Sequence, residues 1–150
     1  GSDGRLIDFE GGGYRHALTC ATWIYVPGSA WITVSDPIAT ELEREYRSAL
    51  CEAVTEAEDD RLFGFALSAA SLALAFDRLN RFPLLDRRQP GHPSRVQMVS
   101  TLESGAAVAR QHRSLPQLVG WTERVAAWLR LRWTDADVDL ASYGPYILRR

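Results

Sequence analysis

The sequence predicts a mainly α domain of about four to five helices, preceded by one short N-terminal β-strand. Three observations carry this. Apolar residues recur at helical spacing along most of the stretch from Ile38 to Leu131. Helix-starting residues (Asp59, Ser94, Pro116) stand at the head of successive stretches. Apolar residues make up 46% of a 150-residue chain. That is one domain's length, and enough to bury roughly 70% of the unfolded surface.

The strand is expected at Leu6-Ile7, between Arg5 and Asp8, after a hairpin-type Asp3-Gly4 turn. Residues 1–13 thus read as strand and glycine turn, the turn being Gly11-Gly12-Gly13. Residues 14–34 read as a short helix and loop: Tyr14 to Tyr25 buries Ala17, Leu18, Ala21 and Trp23, and Pro27-Gly28-Ser29 turns the chain. The helical bundle spans 35–133. Its first helix is capped by Ser35, with Ile38, Leu42, Tyr46, Ala49 and Ala53 on the apolar stripe and Leu50 and Val54 widening it, and ends near Glu58. The second starts at Asp59-Asp60 and runs to about Asn80. Its middle is apolar nearly all round, and Gly64, Ala66, Ala69, Ala70 and Ala73 admit close neighbours. An Arg- and Pro-rich loop is expected over Pro83–Pro93. Ser94 then caps a helix to about His112, and Pro116 opens a last one to about Trp133, with Leu118, Trp121, Val125, Trp128, Leu129 and Leu131 apolar. Residues 134–150 read as an irregular tail.

Composition excludes several chemistries. All 17 basic residues are arginine, against 19 acidic ones. Without lysine there is no P-loop lysine and no Schiff-base lysine. A net charge of −2 argues against binding nucleic acid through whole-domain charge. The longest uncharged run, Leu62–Phe76, is shorter than the ~20 residues of a membrane span. With two cysteines and no secretory signal among its first residues, the chain is expected in the cytoplasm with reduced thiols. It opens on Gly1-Ser2 rather than Met, and its hairpin turn has no upstream strand to pair. Both features predict a piece of a longer protein.

Most candidate sites read as ordinary structure. Asp135, Asp137 and Asp139 begin a calcium-loop pattern that fails at Leu140 and Tyr146, where glycine and glutamate are needed. His16 and Cys20 share a helical face, but two ligands do not make a zinc site. Trp121, Trp128 and Trp133 stand at helical spacing, which favours core over ligand cage. Asp8, at the end of an apolar strand and before an aromatic residue and three glycines, has the chemistry of a magnesium ligand, although by itself so short a motif is more often a solvated turn aspartate. A hard cation takes a hard carboxylate, and glycines let phosphate approach the backbone.

The run Asp3-Gly-Arg-Leu-Ile-Asp8-Phe-Glu10-Gly-Gly-Gly-Tyr14-Arg-His16-Ala-Leu18 resembles the metal-binding segment of the aminoglycoside phosphotransferase and choline kinase-like family. The helices that follow are similar in pattern to that family's C-terminal lobe. The resemblance implies the helical C-terminal half-lobe of a kinase-like fold, with Asp8 as magnesium ligand, Phe9 as its packing anchor, and Mg2+ and ATP as the parent family's cofactors. It implies an acidic acceptor site, with Glu41, Glu45, Asp59, Asp60 and Glu103 as candidates. The family's catalytic loop, a histidine followed two residues later by an aspartate, has no counterpart: His16, His92 and His112 are followed there by Leu18, Ser94 and Ser114. The nucleotide loop and its lysine strand have none either, and Cys20 stands where the family has a structural aspartate.

The expectation is therefore a phosphotransferase fragment, inactive alone and with no cofactor bound to it. Such a fragment would form a homodimer or be covered by a partner chain over exposed apolar surface. No nucleic acid or membrane partner is expected. The alternative is a free-standing helical module that binds a protein or a small molecule.

Overall fold

A computed structural model of the chain describes residues 16–27, 34 and 37–137. The expected strand, the glycine turn, Asp8, the Ser35 cap and the chain beyond Asp137 lie outside these residues. The described part is mainly helical. Its helices are α1 (Leu18–Ala21), α2 (Ile38–Cys51), α3 (Asp60–Leu79), α4 (Phe82–Asp86), α5 (Pro93–Gln111) and α6 (Pro116–Arg132). Three 3-10 turns join them, at Thr22–Ile24, Thr55–Glu58 and Thr134–Ala136.

Local chemistry explains the ends. Asp59 caps α3 as expected, its carboxylate accepting the Arg61 and Leu62 amides at 2.8 and 3.0 Å. Helix α5 starts two residues earlier than the Ser94 cap predicted. The cap is His92, whose Nδ1 accepts the Ser94 amide, because Pro93 at the first helical position has no amide to offer. Pro116 opens α6 in the same way, after Arg113 and Leu115 adopt left-handed backbone conformations with φ of 52°. The expected loop at Pro83–Pro93 is in part a helix. Pro83 sits in the first turn of α4, where a missing amide costs nothing, and buried Leu85 anchors it. Burial of such a leucine stabilises by roughly 1.5–3 kcal/mol.

Helix α5 is the centre, with α3 on one side and α6 on the other. The α3–α5 contact runs through small residues: a side chain at Gly105 would meet the Ser71 carbonyl at 3.1 Å and Ala75 Cβ at 3.4 Å. The close-packing stripe of α3 is Gly64, Ser68, Ser71 and Ala75, all buried. Of the five small residues expected to admit neighbours, Gly64 is buried, Ala66 and Ala70 pack partly buried against the Leu18 and Leu67 cluster, and Ala73 is exposed. Ser68 keeps its hydroxyl satisfied inside this contact by donating to the Gly64 carbonyl one turn back, at 2.6 Å. By length and hydropathy α3 matches a membrane-crossing helix, although Leu67, Leu72 and Ala75 are core residues here.

Two helices bury a stripe that differs in part from the predicted one. In α6 the inward residues are Val119, Thr122, Ala126 and Leu129; of the expected positions Leu129 is buried and Val125 packs partly buried on the core, while Leu118, Trp121, Trp128 and Leu131 are exposed. The tight approach to α5 admits valine, threonine and alanine, so the indoles of Trp121 and Trp128 go to the edge. There they remain 42% and 49% exposed. In α2 the expected stripe holds only in part: Tyr46 and Leu50 pack on the body, beside Ala39, Glu43 and Arg47, while Ile38, Leu42, Ala49 and Ala53 are exposed. This helix is fastened by polar ties. Tyr46 donates to the Ala17 carbonyl at 2.7 Å, and Arg47 donates to the Ala57 and Glu58 carbonyls at 2.7 and 2.8 Å while lying over the Phe63 ring. The helix ends at Cys51 rather than near Glu58, and the chain continues into the 3-10 turn.

The start of the expected tail is ordered. Ala136 is fully buried in the turn after α6. Asp135 accepts the Gly91 amide at 2.6 Å and pairs with Arg95 at 3.0 Å. Arg95 is itself 6% exposed and donates also to the carbonyls of Leu85, Asp86 and Arg88. One guanidinium thus clasps α4, its following loop and the end of α6 to α5.

Candidate functional site

A wide concavity opens between α1, the end of α2, the Thr55–Glu58 turn and α3. It has a volume of about 710 Å³ and is mainly apolar, lined by His16, Leu18, Leu50, Val54, Phe63 and Ala66 among others. Its size is in the range of small-molecule sites. Leu62 and Phe65 at its rim are 43% and 50% exposed. The floor forms because Leu18 and Phe63 pack with Leu67 and Val108, and Leu50 folds onto them from α2.

Beside the cleft, Tyr25, Glu43 and His112 come together from three elements. The Tyr25 hydroxyl donates to Glu43 Oε2, and His112 Nε2 lies 3.6 Å from the same oxygen. Burial pushes the Glu43 carboxyl up, but the facing His112 imidazole and the hydrogen bond from Tyr25 outweigh it and hold it below its ordinary value. His112 also meets the Phe63 ring edge-on and fills the space beside Gly64. This polar cluster joins α2 to the far end of α5. Sequence spacing hid it, because its members are 18 and 69 residues apart.

The predicted site residues separate. Asp8 lies outside the described residues. His16 is exposed, and its Nδ1 accepts the Leu18 amide at 3.3 Å, so it serves the start of α1. Cys20 and Cys51 are free thiols. The acidic candidates do not converge. Glu41 and Glu45 flank Arg44 in water, Asp59 caps α3, Asp60 pairs with Arg47 at 2.6 Å, and Glu103 holds Arg130 through two 2.8 Å contacts. Asp135 and Asp137 go to Arg95 and Arg130 rather than to a cation. Among the described residues no three His, Cys, Asp or Glu side chains are placed to hold a metal.

The tryptophans form no cage. Trp133 is buried, stacked on Phe82, with its indole N–H donating to Asp86 at 3.0 Å. Trp128 tilts against the same Phe82, and Trp121 meets Phe76 edge-on at 5.2 Å. Asp86 further accepts two 2.7 Å hydrogen bonds from Arg132. These, with the Trp133 contact, bring its carboxyl from 3.8 to about 2. A second, smaller cavity is lined by Arg78, Arg81 and Arg88. The arginine excess between Arg78 and Arg88 was its signal in the sequence. Compared with family models, with curated proteins and with solved structures, the chain finds no match in any of the three.

Proposed function

We propose that this chain is the helical C-terminal half of a kinase-like phosphotransferase, of the type that acts on aminoglycosides or choline. On this reading it is silent alone and is completed by the polypeptide that carries the nucleotide loop and the catalytic base. The observation that carries the reading is the placement of Asp8 between Ile7 and Phe9, ahead of three glycines, on a segment that joins directly onto α1.

Two features of the fold support it. In sequence the segment leads into α1, whose buried Leu18 lines the apolar cleft. The apolar residues Ile38 and Leu42 of α2 are exposed at 55% and 42%, as a half-lobe relieved of its neighbour requires. Magnesium bridging ATP phosphates needs more than one protein ligand. The described residues offer no further set, so no phosphoryl-transfer step is assigned to this chain.

Titration of the purified chain with magnesium and ATP by calorimetry tests the reading, and no binding heat is expected. A saturable heat that Asp8→Ala abolishes would show that the chain holds nucleotide unaided, and would overturn the half-enzyme reading. The second reading, a helical binding module, is favoured by the same open cleft. It gains ground if a small apolar probe binds there and Phe65→Glu removes the binding.

A further inference from the structure

We propose that the small cavity between the end of α3, α4 and the first turn of α5 is a binding site for a small phosphate-type anion, held by Arg78, Arg81 and Arg88. These three guanidinium-bearing side chains line one cavity of about 170 Å³, together with Ser94 and a floor that includes buried Leu85 and Met98. The volume lies below the roughly 300–1,000 Å³ of sites for drug-sized ligands. It therefore selects a single oxyanion or one phosphoryl head group.

The charges are arranged for a guest and not for each other. Among the described residues, neither the Arg78 nor the Arg81 side chain makes a salt bridge or a hydrogen bond, although Arg78 is half-buried. Elsewhere in the molecule Arg47, Arg95, Arg130 and Arg132 each hold a carboxylate. Burial first, and the like charge of Arg81 second, push the Arg78 guanidinium down, with Asp77 opposing. An anion entering the cavity opposes both effects with its own charge. Asp86, the acidic residue within α4, is already engaged by Arg132 and Trp133.

The third arm is pre-set. Arg88 donates to Ser94 Oγ at 3.0 Å and lies against the His92 ring, while its own carbonyl is held by Arg95 at 2.6 Å. A guanidinium has five N–H donors, so several remain. The Ser94 hydroxyl accepts from Arg88 and keeps its proton to donate. The cavity also faces the positive end of the 19-residue helix α5, which adds to the attraction for an anion. Guanidinium pairs recognise phosphate with two parallel hydrogen bonds, which favours phosphate over a spherical halide.

The site shares no residue with the apolar cleft or with the phosphotransferase reading, so it survives or fails independently of that reading. The test is titration of the whole chain with inorganic phosphate and, separately, with glycerol 3-phosphate, against chloride at equal ionic strength. Saturable binding is expected, weakened at least tenfold by Arg78→Gln and by Arg81→Gln and unchanged by Arg124→Gln. Arg81 is exposed, so its variant folds even if the Arg78 variant does not. Binding of the monoester identifies a phosphoryl head group as the guest, and binding of phosphate alone identifies the free ion. No saturable binding of either, or binding indifferent to both substitutions, overturns the proposal.

Discussion

Asp86 shows how one carboxylate organises a corner of the bundle. It takes two hydrogen bonds from Arg132 and one from the Trp133 indole, and Arg132 in turn lies over the rings of Phe82 and Trp128. Its folded-state value of about 2 is below its ordinary 3.8. A lowered carboxyl contributes stability that is present above about pH 4 and is lost as pH falls towards 2. Asp86→Asn is therefore expected to lower the thermal midpoint at neutral pH and to flatten its fall between pH 4 and 2. A melting series against pH reads both, and an unchanged acid limb contradicts the assignment. Residue-scale features were partly legible. Asp59 announced its cap, because capping is local. The partners of Asp86 and Glu43 were not legible, because they come from elements 46 and 69 residues away.

Among the helices, the sequence located the four long ones, but it missed α4, ran α2 too far and did not tell their orientation. A hydrophobic stripe marks the face that prefers burial, and shape decides which part of it reaches the tight contact. In α6, Trp121 and Trp128 are the most apolar surface, yet they are too large for the seam that Val119, Thr122 and Ala126 occupy. Gly105 sets that tightness on the α3 side. Gly105→Val is expected to cost about 2 kcal/mol, because the added carbons press on a helix carbonyl that cannot move aside. Urea unfolding checks this. A stability equal to or above that of the parent would mean that the gain in helix propensity over glycine outweighs the crowding. Helix α4 was read as loop because Pro83 and the arginines masked the single buried leucine that fixes it.

For the whole molecule, apolar surface lies where no described residue covers it: along Ile38 and Leu42 of α2, and at Leu62 and Phe65 on the rim of the cleft. A domain that needs a neighbour seeks one of its own kind when none is supplied. The isolated chain is expected to self-associate in sedimentation experiments at high concentration. Leu42→Glu and Phe65→Glu should raise its dissociation constant about tenfold, or about 1.4 kcal/mol. A monodisperse parent monomer at the same concentration would sink this expectation. The mainly helical class was readable from periodicity. The cleft was not, because concavity arises from how α1, α2 and α3 meet.

The clasp that Arg95 places on α4 and on the end of α6 carries one more implication. A guanidinium holds its proton through any alkaline medium a protein meets, whereas a lysine in that place would surrender it. Base therefore has no purchase on this fastening, and acid reaches it only through the aspartate partner. The corner where three segments converge is armoured on one side of neutrality and soft on the other.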